Sequence, residues 1–162
     1  MREEHWTSSE VETIALARAL AARLQRGDIV ALQGELGTGK TLFVKGICEA
    51  FSAQAHVSSP SFVILNRYQG KDHDKQELLI YHLDLYRIKS LDEIYDLGFE
   101  EFFYGDGITL IEWAEQLGDL LPPKRYDIHL SYGQSDTHRR ITIESFRTPA
   151  APVESEQKAG SQ

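Results

Sequence analysis

An α/β domain built around a central sheet is the fold class this sequence predicts, and three observations predict it. A short apolar run, Ile29-Val30-Ala31-Leu32, leads into a glycine-rich segment and then into a helical pattern through Leu42, Phe43, Val44, Ile47 and Cys48. Further strand-like runs recur down the chain, separated by capping signals and prolines. The length, 162 residues, suits one domain with its own core.

Taken in order, the first expected element is a helix opened by Ser9-Glu10-Val11-Glu12, a capping-box pattern in which Ser and Glu each satisfy a free backbone N–H. Leu16, Leu20 and Leu24 follow at helical spacing, and Gly27-Asp28 ends the helix. Ile29–Leu32 is a buried strand, and the helix beyond Thr41 follows it. Pro60 punctuates the next stretch. Phe62-Val63-Ile64-Leu65 and Leu78 to Leu83 read as strands, with the polar run Gly70 to Gln76 as the turn of a hairpin. Ser90-Leu91-Asp92-Glu93 is a second capping-box pattern opening a helical region that includes Ile94–Phe103. Ile108-Thr109-Leu110-Ile111 is a strand ending at Glu112. Pro122-Pro123 interrupts the chain, and Tyr126 to Tyr132 and Arg139 to Ile143 are two further strands. From about Thr148 the composition turns to Pro, Ala, Ser, Glu and Gln, too poor in apolar groups to order itself. The expected partition is one domain over residues 1–147 and a disordered tail over 148–162.

Composition narrows the classes. Hydrophobic residues make up 41% and charged residues 26%, as in soluble globular proteins. Cys48 is the one cysteine, so no disulfide forms within the chain, in keeping with a reducing cytoplasm. No apolar run nears the ~20 residues that span a bilayer. The start, Met1-Arg2-Glu3-Glu4-His5-Trp6, has no apolar export core, so neither export nor a membrane is expected. The net charge of −8 argues against a protein that grips nucleic acid by its phosphates.

Gly34-Glu35-Leu36-Gly37-Thr38-Gly39-Lys40-Thr41 fits G-x-x-x-x-G-K-[ST] at every fixed position, between a strand and a helix as the chemistry requires. Glycines let the backbone curl around a phosphate with N–H groups inward. The helix N-terminus presents free donors and a favourable dipole. Lys40 supplies a full charge at the β/γ oxygens, and the Thr41 hydroxyl can ligate Mg²⁺. The fold class sharpens to a P-loop NTPase-like mixed sheet flanked by helices, and the cofactors expected are ATP or ADP with Mg²⁺. Such a site needs an acid opposite the loop. Asp84 and Glu112 both end strands, and both face the loop if their strands run parallel to Ile29–Leu32. Pattern alone does not divide their roles between holding the ion and orienting water. The hydroxyls of Ser58-Ser59-Pro60-Ser61 read as a polar turn. No Asn-Lys-x-Asp run is present, which argues against guanine selection.

Gly34–Thr41, Ser59-Pro60-Ser61-Phe62, His82-Leu83-Asp84-Leu85-Tyr86-Arg87 and Ile111-Glu112-Trp113 occur in that order. Together they closely resemble the bacterial TsaE (YjeE) family, the ATPase component of tRNA threonylcarbamoyladenosine biosynthesis, from about Thr7 to Ile143. The resemblance implies that Thr41 and Glu112 coordinate Mg²⁺, and that Asp84, with Lys40 and Glu112, supports hydrolysis. It implies that Gly37, Thr38, Gly39, Lys40, Thr41, Leu42 and Trp113 lie at the nucleotide, with Ser61 in a switch-like segment where the family usually has threonine. Glu10, Glu115 and Arg139 match further nucleotide-side positions. It also implies partners, TsaB and TsaD, whose complex ATP hydrolysis would drive or reset, with tRNA reached only through that complex. A small-molecule P-loop kinase is the alternative. It lacks an arginine-rich lid here and leaves His-x-Asp-x-Tyr-Arg unexplained.

Overall fold

The computed structural model describes residues 1–53 and 65–146. The expected Ser58–Ser61 turn, all of the Phe62–Leu65 strand but Leu65, and the expected tail lie outside them. Among the described residues seven strands and four short-to-medium helices follow in this order: β1 (Arg2–Thr7), α1 (Glu10–Ala21), β2 (Ile29–Gly34), α2 (Lys40–Ala50), β3 (Leu65–Lys71), β4 (Glu77–Asp84), α3 (Asp92–Leu97), α4 (Phe99–Phe103), β5 (Ile108–Glu112), a 3₁₀ segment (Ala114–Leu120), β6 (Arg125–Tyr132) and β7 (Arg139–Phe146).

The strands form one sheet in the order β1-β7-β6-β2-β5-β4-β3. β6, β2, β5 and β4 are mutually parallel where they pair. β7 and β1 extend the sheet antiparallel on one side and β3 on the other, so the expected mixed sheet is what forms. Register does the work of placing the site. Leu32 and Asp84 both stand opposite Glu112, so β4 and β5 finish level at their carboxyl ends while β2 runs on to Gly34 and the loop.

Strand alternation sorts the core onto two faces. Val30, Leu32, Ile80, Ile108, Leu110 and Ile128 pack under α1 and α2. Ile29, Ala31, Tyr81, Leu83 and Ile111 pack against α3, α4 and the 3₁₀ segment. By the same parity His82, Asp84 and Glu112 fall on the face that α2 covers. α1 and α2 pack closely because Gly46 lies against Ala17 and Ile14.

Several boundaries differ from those the sequence predicts, each for a local reason. β1 stands before the first expected element. It is a polar edge strand, paired among the described residues with β7 alone, and its acids are engaged by Arg23 on Glu3 (2.7 Å) and Arg140 on Glu4 (2.5 Å). The first capping box is offset: the Ser9 hydroxyl accepts from the Glu12 N–H, but the Glu12 carboxylate reaches back to the Ser8 N–H (2.8 Å) rather than to Ser9. At the second, Glu93 accepts from the Lys89 and Ser90 N–H groups while the Ser90 hydroxyl caps nothing, and α3 opens at Asp92. Gly98, at φ +76°, divides the expected single helix into α3 and α4.

Candidate functional site

The loop between β2 and α2 is held from outside by side chains. Gly34, Gly37 and Gly39 take φ values of +146°, +82° and +108°, conformations that favour glycine. The Thr38 hydroxyl donates to the Glu35 carbonyl (2.7 Å) and the Tyr132 hydroxyl to that of Leu36 (2.6 Å). Arg139, whose guanidinium lies over the Tyr132 ring, donates to the carbonyls of Thr38 (3.0 Å) and Gly37 (3.4 Å). Four consecutive carbonyls are thus engaged by the scaffold. Among the described residues no side chain caps the N-terminus of α2, which leaves its first N–H groups facing the loop.

Lys40 opens α2, with Nζ donating to the Gly34 and Glu35 carbonyls at 2.6 and 2.9 Å. The ammonium sits 4.1 Å from the centroid of the Trp113 ring, which in turn packs on Tyr86. Burial lowers the Lys40 pKa, and the carboxylates of Glu112, Glu115 and Asp84 work against that shift. Three acids therefore act on one partly desolvated cation at the end of the loop. Trp113 has φ +60°, an uncommon conformation for a bulky side chain, at the turn out of β5 that presents its ring to Lys40.

Behind Lys40, the Thr41 hydroxyl lies 2.9 and 3.0 Å from the two oxygens of Glu112. Glu112 is 3% exposed, and its Oε2 also accepts from His82 Nε2 at 2.6 Å. His82 is fully buried and its Nδ1 meets the Tyr68 hydroxyl at 3.1 Å. Asp84 is less buried and accepts from the Tyr86 N–H (3.0 Å).

Comparison with known proteins gives this geometry a lineage. The family profile described as "Threonylcarbamoyl adenosine biosynthesis protein TsaE" matches residues 7–141. The chain belongs to the TsaE family. It is 38% identical over 144 residues to the tRNA threonylcarbamoyladenosine biosynthesis protein TsaE of Bacillus subtilis, covering 88% of this chain and 86% of that one. The TsaE of Rickettsia conorii is 43% identical over 138 residues, covering 85% and 74%. That of Treponema pallidum is 36% identical over 135 residues, covering 83% and 95%. Among solved structures, Bacillus subtilis YdiB superposes with a TM-score of 0.74 at 30% identity, over 100% of this chain and 97% of that one.

Within this TsaE chain the sequence-predicted residues fall into two groups. Gly37, Thr38, Gly39, Lys40, Thr41, Asp84, Glu112 and Trp113 meet around one loop. Leu42 is half-buried in the first turn of α2. Arg139 braces the outer side of the loop through carbonyls. Glu115 is exposed beyond Trp113 but near enough to act on Lys40. Glu10 is exposed at the start of α1. Because Ile14 and Ala17 lie against Gly46 and Arg18 reaches Glu49 (3.8 Å), α1 runs alongside α2, and Glu10 stands one turn back towards Leu42. Ser61 lies outside the described residues. Sequence reasoning assigned no role to His82, Tyr68 or Tyr132. The one signal available was the i, i+2 spacing of His82 and Asp84, which puts both on one face of β4.

The donor set can be tested against the groups it is expected to hold. Thr41 and Glu112 offer hard oxygen donors only, which suits Mg²⁺. Among the described residues no group of three or more His, Cys, Asp or Glu side chains is placed to cage a metal. Mg²⁺ bound with a nucleotide needs no cage, since phosphates and water complete its shell. The glycine loop, the uncapped helix end and Lys40 fit a polyphosphate. Bound there, a Mg-nucleotide would supply an electrophilic phosphorus. With such a group bound, the loop N–H groups and Lys40 would face the phosphates, Thr41 and Glu112 would be the oxygen donors to the cation, and Asp84 would stand beside them.

Proposed function

We propose that this chain binds ATP with Mg²⁺ at Gly34–Thr41 and hydrolyses it in the service of tRNA threonylcarbamoyladenosine biosynthesis, driving or resetting a TsaB–TsaD transfer complex. The observation that carries the reading is the contact of the Thr41 hydroxyl with the Glu112 carboxylate beside Lys40, at the carboxyl ends of three parallel strands. A hydroxyl and a carboxylate so joined are ready to share a cation that a phosphate completes. Membership in the TsaE family supplies the pathway. Among the described residues no helix is long and apolar enough to cross a membrane. The net charge of −8 leaves tRNA contact to the partners.

Equilibrium binding of ATP to the pure protein tests the site. Binding that needs Mg²⁺ for full affinity, and that weakens by at least ~10-fold in Lys40→Ala, supports it. Binding indifferent to Mg²⁺ or to Lys40 contradicts it. Transfer of the terminal phosphate to a small hydroxylated acceptor would favour the kinase alternative.

A further inference from the structure

Four side chains from four elements form one hydrogen-bonded line through the interior: Thr41 (α2), Glu112 (β5), His82 (β4) and Tyr68 (β3). Its direction follows from chemistry. An ionised carboxylate only accepts, so the 2.6 Å bond requires the proton on His82 Nε2. In the neutral imidazole with its proton there, Nδ1 accepts a hydrogen bond from the Tyr68 hydroxyl. The Tyr68 oxygen in turn faces the Asn66 amide at 3.4 Å. Every donor in the line points towards Glu112.

We infer that His82, set by Tyr68, is a positioning residue that fixes the Glu112 carboxylate beside Thr41 and thereby sets the affinity of the site for a divalent cation. This rests on the Mg-nucleotide reading above. A carboxylate 3% exposed needs fixed donors or it reorients towards water. Thr41 supplies one, but its hydroxyl is itself an expected ligand of the cation. His82 is fully buried, reaches only inward partners, and keeps its bond to Oε2 whatever Thr41 does. Partners of this kind that orient ligands typically change metal affinity by ~10- to 100-fold when removed.

The test uses the full chain and separates cation from nucleotide. ADP affinity is measured by calorimetry in EDTA and again across a MgCl₂ titration, for wild type, His82→Leu, His82→Gln and Tyr68→Phe. His82→Leu should raise the Mg²⁺ concentration needed for half-effect by ~10- to 100-fold while ADP affinity in EDTA stays within about twofold. His82→Gln, whose amide can still donate to Glu112, should recover most of the loss. Tyr68→Phe should shift the same quantity by roughly threefold. It removes one hydroxyl and keeps the ring, so it reports even if His82→Leu does not fold. Long-range ¹⁵N spectra should show the His82 proton on Nε2. An unchanged Mg²⁺ requirement in folded His82→Leu or in Tyr68→Phe, equal losses with and without Mg²⁺, or a proton on Nδ1 alone overturns the inference and leaves the site reading standing. Mg²⁺-independent binding by the wild type overturns both.

Discussion

At Gly34 and Gly37 the loop has no room for a side chain. A Cβ at Gly34 would fall on the Leu130 carbonyl oxygen, and one at Gly37 would sit 2.8 Å from the Tyr132 hydroxyl. Gly34→Ala must move backbone and should lower the melting temperature sharply. Gly37→Ala meets only a side-chain tip but must hold φ +82°, so it should cost less stability than Gly34→Ala and weaken nucleotide binding as well. Thermal melts alongside ATP titrations separate the two outcomes. Asp84 and Glu112 should likewise divide. Asp84→Asn is expected to lower ATP turnover by roughly 100-fold with binding nearly intact, as loss of a group that orients water does. Glu112→Gln should instead weaken the Mg²⁺ dependence of binding. The reverse split would exchange their roles. The loop was legible in the sequence because phosphate chemistry dictates residue type and spacing together. His82 was not, since its partner lies 30 positions away and only strand pairing joins them. Tyr132 was missed for the same reason: its bond to Leu36 spans 96 positions.

Among the elements, α1 and α2 meet at Gly46, where an added Cβ would lie 2.7 Å from the Ala17 Cβ and 3.0 Å from the Ile14 carbonyl oxygen. Gly46→Ala gains helix propensity of about 1 kcal/mol but forces the helices apart, so it should destabilise by a net ~1–2 kcal/mol. Ala17→Gly in the same chain should return part of that loss, and a double-mutant cycle in urea measures the coupling. Arg26 ties three segments, bonding Asp72 and Asp106 and donating to the Glu77 carbonyl. The Asp72 carboxylate is held below its ordinary range, first by the Gln76 N–H and then by Arg26 and the Asp74 N–H. A carboxylate with a lowered folded pKa stabilises above its unfolded value of about 3.8 and loses that contribution as pH falls through the folded pKa. Asp72→Asn should therefore flatten the acid limb of the stability curve and leave neutral-pH activity unchanged. Helices and central strands were legible because burial imposes periodicity. β1 was not, because a strand paired on one side carries a polar sequence. β3 runs through Gly70 where the sequence suggests a turn. That glycine admits the Phe51 carbonyl, which accepts from the Lys71 N–H at 2.7 Å.

For the whole molecule, the sheet order brings the ends of β4 and β5 beside β2 as it runs into the loop, and the chain carries a net charge of −8. The acidic balance predicts no measurable retention of tRNA by the pure protein in a filter assay at physiological salt. Tight, salt-sensitive retention would mean that a local basic surface outweighs the total. The α/β class could be read from one strand–loop–helix unit, but the strand order could not, because it depends on pairings between distant segments. The most direct measurement is Mg²⁺-dependent ATP hydrolysis by the pure protein, alone and with a TsaB–TsaD complex, beside Lys40→Ala. The account predicts slow turnover alone, acceleration by the complex, and loss of both in the variant. Turnover that ignores the complex, or survives without Lys40, would contradict it.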